Sequence, residues 1–229
     1  MLPAKPSAAL AEYLPAFERG DDAFLSYWSI NPDKTVARSD FTRGEFWALG
    51  AAAAGALEEA GLGPGDAAVH YFTDNAHEDL AFRLGATMLG TVPVTVNWQA
   101  DTPERVAYKL SITEARALVV DAGVAAAAID SLRAEFPKLA VIRACELGAR
   151  AARPDGGALS AFAPSLGPED TRIIIFTSGT TGQPKGVRLS YAAYHTNRAT
   201  FEDFLRVPSG CEFVPFVCNP MARVNVKCI

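Results

Sequence analysis

Four hydroxyl side chains, three glycines and one lysine lie within the eleven residues 176–186, which read FTSGTTGQPKG. These residue types suit a polyphosphate ligand. Glycines allow backbone N–H groups to turn onto phosphate oxygens, hydroxyls donate further hydrogen bonds, and the lysine adds a positive charge. Each hydrogen bond to a charged group contributes roughly 1.5–3 kcal/mol, so several that converge on one triphosphate give useful affinity. The run therefore predicts a loop that holds nucleotide phosphates.

The spacing of this loop differs from that of the P-loop of nucleotide kinases, in which Gly-Lys-Ser/Thr follows the first glycine after four residues. Counted from Gly179, Pro184 occupies the second glycine position, and Gly186 stands where the hydroxyl after the lysine would be. A Gly-Thr-Thr-Gly sequence alone is equally compatible with a hairpin whose glycines and threonines only form turns. The flanking apolar residues, Pro184 and Lys185 favour the phosphate loop over that alternative.

Apolar strands and helices alternate on both sides of the loop. Unbroken apolar strands between helices favour an α/β fold, with a mostly parallel sheet and flanking helices. Thr42 followed by Glu45 is a capping-box signature, and Pro103 after Thr102 is typical of a helix start. The predicted strands cover 67–72, 91–96, 117–120, 139–142, 172–176 and 187–189, and the predicted helices cover 42–57, 75–89, 125–135 and segments that begin near 102 and 190.

Changes in composition predict the domain organisation. Residues 1–40 are interpreted as an N-terminal lead-in, and 41–147 as a first α/β subdomain. Residues 148–170 are rich in Gly, Pro, Ala and Ser, which is typical of a junction loop. Residues 171–229 are then the start of a second subdomain that carries the phosphate loop.

Composition and charge exclude several classes of function. With 49% hydrophobic and 21% charged residues, the chain has an ordinary globular composition. Its net charge of −5 offers no basic field for nucleic acid, which we do not expect as a partner. There is no signal-peptide pattern and no run of roughly 18 apolar residues, so we predict a cytoplasmic protein without a membrane span. Four cysteines without C-x-x-C spacing and three histidines predict reduced thiols and no metal site.

The sequence FTSGTTGQPKGV resembles the signature loop of the adenylate-forming (AMP-binding) superfamily, which includes acyl-CoA synthetases, peptide-synthetase adenylation domains and firefly luciferase. Upstream, LGATMLGTVPVTVN and GLGPGDAAVHYFTDNAHEDL resemble the family's stretches before that loop. The resemblance runs from about Phe41 to the end. It implies the N-terminal part of the large domain of an enzyme of the acyl-CoA synthetase type.

The resemblance also implies a reaction. A substrate carboxylate attacks the α-phosphorus of ATP, giving an acyl-adenylate and pyrophosphate, and coenzyme A then captures the acyl group. Mg²⁺ accompanies ATP, and Lys185 is implied as the catalytic charge against the leaving pyrophosphate. The residues implied to bind the β- and γ-phosphates are Thr177, Ser178, Gly179, Thr180, Thr181, Gly182 and Lys185.

Family members continue through a ribose-binding aspartate and a C-terminal domain with a catalytic lysine, and no match to those parts is found in this sequence. We therefore expect a fragment that is inactive alone. Two alternatives to an enzyme stay open. One is a module that binds nucleotide phosphates without turnover. The other is an interaction module whose incomplete sheet pairs with a separately encoded remainder or with another copy.

Overall fold

A computed structural model describes residues 18–31, 33–152, 166–177 and 183–205, of which Phe201, Glu202 and Leu205 are described in their backbone only. The described residues form a two-stranded sheet and a six-stranded sheet with flanking helices. The strands are β1 (Ala23–Ile30), β2 (Val36–Thr42), β3 (Ala67–Tyr71), β4 (Val92–Thr95), β5 (Ala117–Val120), β6 (Ala140–Arg143), β7 (Thr171–Phe176) and β8 (Gly186–Ser190). The α-helices are α1 (Arg43–Glu59), α2 (His77–Leu89), α3 (Pro103–Ile112), α4 (Ala126–Glu135), α5 (Leu147–Ala151) and α6 (Tyr191–Leu205), and Ala144–Glu146 form a 3₁₀ turn.

The larger sheet has the strand order β6-β5-β3-β4-β7-β8. Strands β3 to β7 run parallel, and β8 is antiparallel to β7. The prediction of an α/β fold with a mostly parallel sheet is therefore confirmed. Every residue of β3 is buried, in keeping with a strand that is covered on both faces.

Helices cover both faces of this sheet. Successive side chains of a strand point to opposite faces, so Ala68 packs into one apolar cluster and Val69 into another. The first cluster lies against α1 and α2, and the second against α3 and α4. The result is three layers, helix on sheet on helix, with the sheet fixed between two cores.

Helix α1 begins where its capping box predicts. The hydroxyl of Thr42 accepts a hydrogen bond from the Glu45 N–H at 3.2 Å, and the Glu45 carboxylate accepts one from the Thr42 N–H at 2.8 Å. These bonds satisfy two backbone donors that a helix start otherwise leaves without partners.

Other helix boundaries differ by a residue or two from those predicted from the sequence. Helix α2 was expected from Asn75 and begins at His77, after an extended Ala76.

No element is predicted before Thr42, yet β1 and β2 form an antiparallel hairpin there. The rings of Tyr27 and Phe41 lie 5.1 and 4.8 Å from the ring of His77, and the Tyr27 hydroxyl donates to the Asn75 carbonyl at 2.5 Å. These contacts dock the hairpin onto the start of α2.

Strands on both sides of the predicted junction 148–170 belong to one sheet, because β7 pairs with β4. Residues 153–165 lie outside the described residues, and the division into subdomains stays a prediction. A search of the helices within the described ranges found none with the length and apolar character needed to cross a membrane.

Candidate functional site

The carboxyl ends of the parallel strands meet at one edge of the sheet. In open α/β sheets, ligands bind outside this edge. Thr177 directly follows β7, which places the start of the predicted phosphate loop there. The neighbouring strands β4 and β3 lead into Asn97 and Thr73 at the same edge.

The two ends of the loop are held together by its flanking strands. The Thr177 N–H donates to the Lys185 carbonyl at 3.0 Å, and the Thr177 hydroxyl lies 3.4 Å from the same oxygen. Phe176 pairs with Gly186 across the strands. A Cβ on Gly186 would lie 3.2 Å from both Ile174 Cγ2 and Phe176 Cζ, so glycine lets β8 pass closely over these side chains. The side chains of Thr177 and Lys185 are exposed at this base.

The structure thus brings together two of the seven predicted binding residues, Thr177 and Lys185. The other five lie outside the described residues; they are Ser178, Gly179, Thr180, Thr181 and Gly182. The phosphate-binding role of all seven, and the catalytic role of Lys185, stay predictions at this point.

A buried ion pair lies next to the base of the loop. The Lys109 ammonium donates to Asp101 Oδ2 at 2.5 Å and to the Thr95 carbonyl at 3.0 Å. Its nitrogen also lies 4.7 Å from the centroid of the Phe176 ring. Burial lowers the pKa of Lys109, although the hydrogen bond to Asp101 and its charge oppose the shift. No local sequence signal identifies this pair, because a lysine inside a short amphipathic helix is usually solvent-exposed.

Asp121 joins the ends of β3 and β5 at the same edge. Its carboxylate accepts hydrogen bonds from the Thr73 N–H at 2.7 Å and from the N–H groups of Gly123 and Val124 at 3.0 and 3.2 Å. A Cβ on Gly123 would lie 2.1 Å from the Thr73 hydroxyl oxygen, so a larger residue would displace this hydroxyl from Asp121. These hydrogen bonds of Asp121 were not predicted from the sequence.

A second network of charged side chains lies on the α2 side of the sheet. Asp79 accepts from the His70 ring at 2.6 Å and from Arg83 at 2.7 Å. Burial acts to raise the pKa of Asp79, but the Arg83 charge and the His70 hydrogen bond outweigh it and lower the pKa well below its usual range.

Cys145 is a free, exposed thiol. Among the described residues, no group of three or more His, Cys, Asp and Glu side chains could hold a metal ion.

The three-layer fold, with Thr177 and Lys185 at the carboxyl edge of its sheet, defines the class of open α/β proteins, in which ligands bind outside that edge. Comparison with protein families is more specific. The family model described as AMP-binding enzyme matches residues 24–222, so the chain belongs to the AMP-binding enzyme family. The resemblance to the adenylate-forming superfamily is thereby confirmed.

Curated relatives come from more than one branch of this family. The chain is 34% identical over 168 residues to pyochelin synthetase PchE of Pseudomonas aeruginosa, a match that covers 72% of this chain and 10% of PchE. It is 30% identical over 161 residues to the long-chain-fatty-acid–CoA ligase FadD13 of Mycobacterium tuberculosis, covering 70% of this chain and 31% of FadD13. The chain therefore spans less than a third of the length of either relative.

A solved structure shares the fold. The o-succinylbenzoate CoA synthetase MenE of Bacillus subtilis, in complex with its acyl-adenylate intermediate, superposes with a TM-score of 0.68 at 19% sequence identity. The match covers 89% of this chain and 47% of MenE. The same enzyme has been solved in complex with ATP and a magnesium ion. At this identity the likeness establishes the fold.

Proposed function

We propose that the chain carries the nucleotide-phosphate part of an ATP-dependent enzyme that activates a carboxylic acid as its acyl-adenylate. The observation that carries this proposal is the loop base, where Thr177 and Lys185 meet at the carboxyl edge of the sheet within a span that matches the AMP-binding family. In the whole protein, coenzyme A is the proposed acyl acceptor, which makes the enzyme an acid–CoA ligase.

The chemistry of the loop base fits a triphosphate. Lys185 supplies an exposed positive charge, and Thr177 supplies an exposed hydroxyl beside it. The proposed phosphate ligands continue through the loop, with hydroxyls from Ser178, Thr180 and Thr181 and backbone N–H groups from the glycines. Mg²⁺ binds mainly through phosphate oxygens and water in such sites, so it arrives with ATP and neutralises phosphate charge there.

Lys185 has two proposed tasks. Its ammonium binds the β- and γ-phosphates in the ground state, and it stabilises the charge that develops on the leaving pyrophosphate in the transition state. The base of the loop supports the second task, because the hydrogen bond from the Thr177 N–H holds the Lys185 backbone from which the side chain extends. A backbone held in place reduces the reorganisation that the ammonium needs during the reaction.

The second candidate function is nucleotide-phosphate binding without turnover. It is favoured by the type of contact proposed for this loop. If the contacts to the β- and γ-phosphates are equally strong in the ground state and in the transition state, they lower the dissociation constant without speeding chemistry. Turnover also requires the carboxylate in line with the α-phosphorus, and misplacement by about 1 Å costs roughly a hundredfold in rate.

Titration calorimetry with Mg·ATP and with Mg·pyrophosphate tests the site. Lys185→Ala should weaken binding by about 1–3 kcal/mol, because it removes a charge-assisted contact. Lys138→Ala is the matched control. Lys138 is an exposed lysine just before the amino end of β6, away from the carboxyl edge where Lys185 lies. Equal affinities for the two variants would exclude the loop as the phosphate site.

Acid-dependent exchange of pyrophosphate into ATP separates the two candidate functions. We expect the chain alone to show none. Long-chain fatty acids are the first acids to screen because FadD13 is a long-chain-fatty-acid–CoA ligase, followed by short and aromatic acids. Exchange that depends on one acid and disappears in Lys185→Ala would establish turnover by this chain and would contradict the hypothesis of nucleotide-phosphate binding without turnover.

A further inference from the structure

The Lys109 ammonium occupies a buried position between three segments that lead to the carboxyl edge. Its side chain is 2% exposed and that of Asp101 is 5% exposed. Its partners are Asp101, two residues before α3, the Thr95 carbonyl at the end of β4, and the face of the Phe176 ring at the end of β7. One cation thus contacts the last residue of β4 and the last residue of β7, which are neighbouring strands of the sheet.

A buried ion pair of this kind contributes little net stability, because the loss of hydration offsets the attraction between the charges. Well-packed apolar side chains would fill the same space at equal or lower free energy. The pair is better explained by what it holds in place. An ammonium over an aromatic face is attracted to one side of the ring, so it fixes the position of Phe176.

Strand β7 pairs with β8 through five residue pairs, but its ladder with β4 is short. It is registered to β4 through one residue pair, Val94 with Ile174, whereas β3 and β4 share four. The Thr95 hydroxyl adds a hydrogen bond of 3.4 Å to the Ile174 carbonyl, which is long. The contact between Lys109 and Phe176 therefore supplies a tie on the β4 side of β7 that the β4–β7 ladder lacks.

We propose that Lys109, held by Asp101, is a positioning residue for the base of the phosphate loop, Thr177 and Lys185. It fixes Phe176 and, through Phe176, the position of the next residue, Thr177. The Thr177 N–H donates to the Lys185 carbonyl, so the position of Lys185 is fixed as well. The inference rests on the proposed function for its consequence in ligand binding, but the structural link from Lys109 to Thr177 can be measured without ligand.

Hydrogen exchange measures the link directly. In Lys109→Met, which keeps the length of the side chain and removes its charge, the Thr177 amide should exchange roughly tenfold faster than in the wild type. Lys109→Arg should restore most of the protection, because it keeps a cation over the ring. The control is Arg83→Met, which breaks the Arg83–Asp79 pair on the opposite face of the sheet and should leave Thr177 unchanged. Wild-type protection of Thr177 in Lys109→Met would overturn the inference.

A variant that lacks both charges shows whether faster exchange at Thr177 comes from loss of the contact with Phe176 or from misfolding. The double variant Lys109→Met/Asp101→Asn removes the buried carboxylate, which the single variant leaves without a countercharge. The amide oxygen introduced by Asp101→Asn can still accept the hydrogen bond from the Asn97 N–H. This double variant should fold and should still show fast exchange at Thr177. Normal protection in a folded double variant would also overturn the inference.

Calorimetry with Mg·ATP connects the position of the loop to binding. Lys109→Met should weaken binding about tenfold, and Arg83→Met should not. If Lys185→Ala weakens binding and Lys109→Met does not, the positioning role fails and the proposed function stands. If neither the wild type nor any variant binds the probe, the proposed function fails, and hydrogen exchange at Thr177 still decides whether Lys109 positions the strand end.

Discussion

Replacement of Gly85 by alanine tests the closest approach of two helices in the fold. Gly85 lies where α2 packs against α1. A Cβ at this position would lie 2.6 Å from the Ala54 nitrogen, 2.7 Å from the Gly50 carbonyl oxygen and 2.9 Å from the Ala53 Cβ. Two of these three atoms belong to the backbone of α1, so they cannot rotate away. The helices must move apart to accept one methyl group.

The expected cost follows from two opposing terms. Overpacking of a core costs about 1–3 kcal/mol, and a clash with helix backbone belongs at the upper end of that range. Alanine in place of glycine in a helix interior returns about 1 kcal/mol. Gly85→Ala should therefore lower the free energy of unfolding by about 2 kcal/mol, which lowers Tm by roughly 4–8 °C in a chain of this size.

Urea denaturation followed by circular dichroism measures this cost, with two control variants. In Gly50→Ala the nearest atoms are Leu84 Cδ2 at 2.6 Å and Leu84 Cγ at 2.8 Å, which belong to a side chain and not to the backbone, so we expect a smaller loss than in Gly85→Ala. In Gly63→Ala no atom lies within 4 Å of the new methyl. An unfolding midpoint for Gly85→Ala equal to that of Gly63→Ala would refute the close packing of α1 and α2.

Two further substitutions test the charge network and the helix cap. Above about pH 4, the usual pKa of aspartate, ionised Asp79 stabilises the fold because its folded-state pKa is lowered, and this contribution disappears as pH falls toward that lower value. Asp79→Asn should thus be less stable at neutral pH, and its urea midpoint should fall less than the wild-type midpoint on acidification; parallel curves would contradict this. Thr42→Ala removes the capping box and should cost about 1 kcal/mol in urea denaturation, whereas an unchanged midpoint would show that the cap is not needed.

The sequence alone determined the elements of the larger sheet. The apolar run Ala117–Val120 is a fully buried strand as predicted, and the pair Thr42 and Glu45 placed a helix start to the residue. These features are local, because strand burial and helix capping depend on residues within a few positions of one another. The loop sequence 176–186 likewise identified the family without reference to the fold.

The hairpin formed by β1 and β2 was not predicted, although a weak signal exists. In Ala23–Ile30 exposed and half-buried residues alternate only in part, and both Trp28 and Ile30 face solvent. The hairpin is held instead by contacts with the start of α2, as in the hydrogen bond from Tyr27 to the Asn75 carbonyl across 48 residues. Propensity within the segment does not contain that information.

Only the tertiary structure decided how the loop base is supported. Residues 176–186 predict phosphate binding from their composition, but nothing in them indicates that Lys109 lies against Phe176. That contact exists because β7 pairs with β4, whose hydrogen bond from Thr95 to the Ile174 carbonyl joins residues 79 positions apart. Strand pairing at such separation depends on how all the strands share one core, whereas the chemistry of the loop depends on residue types alone.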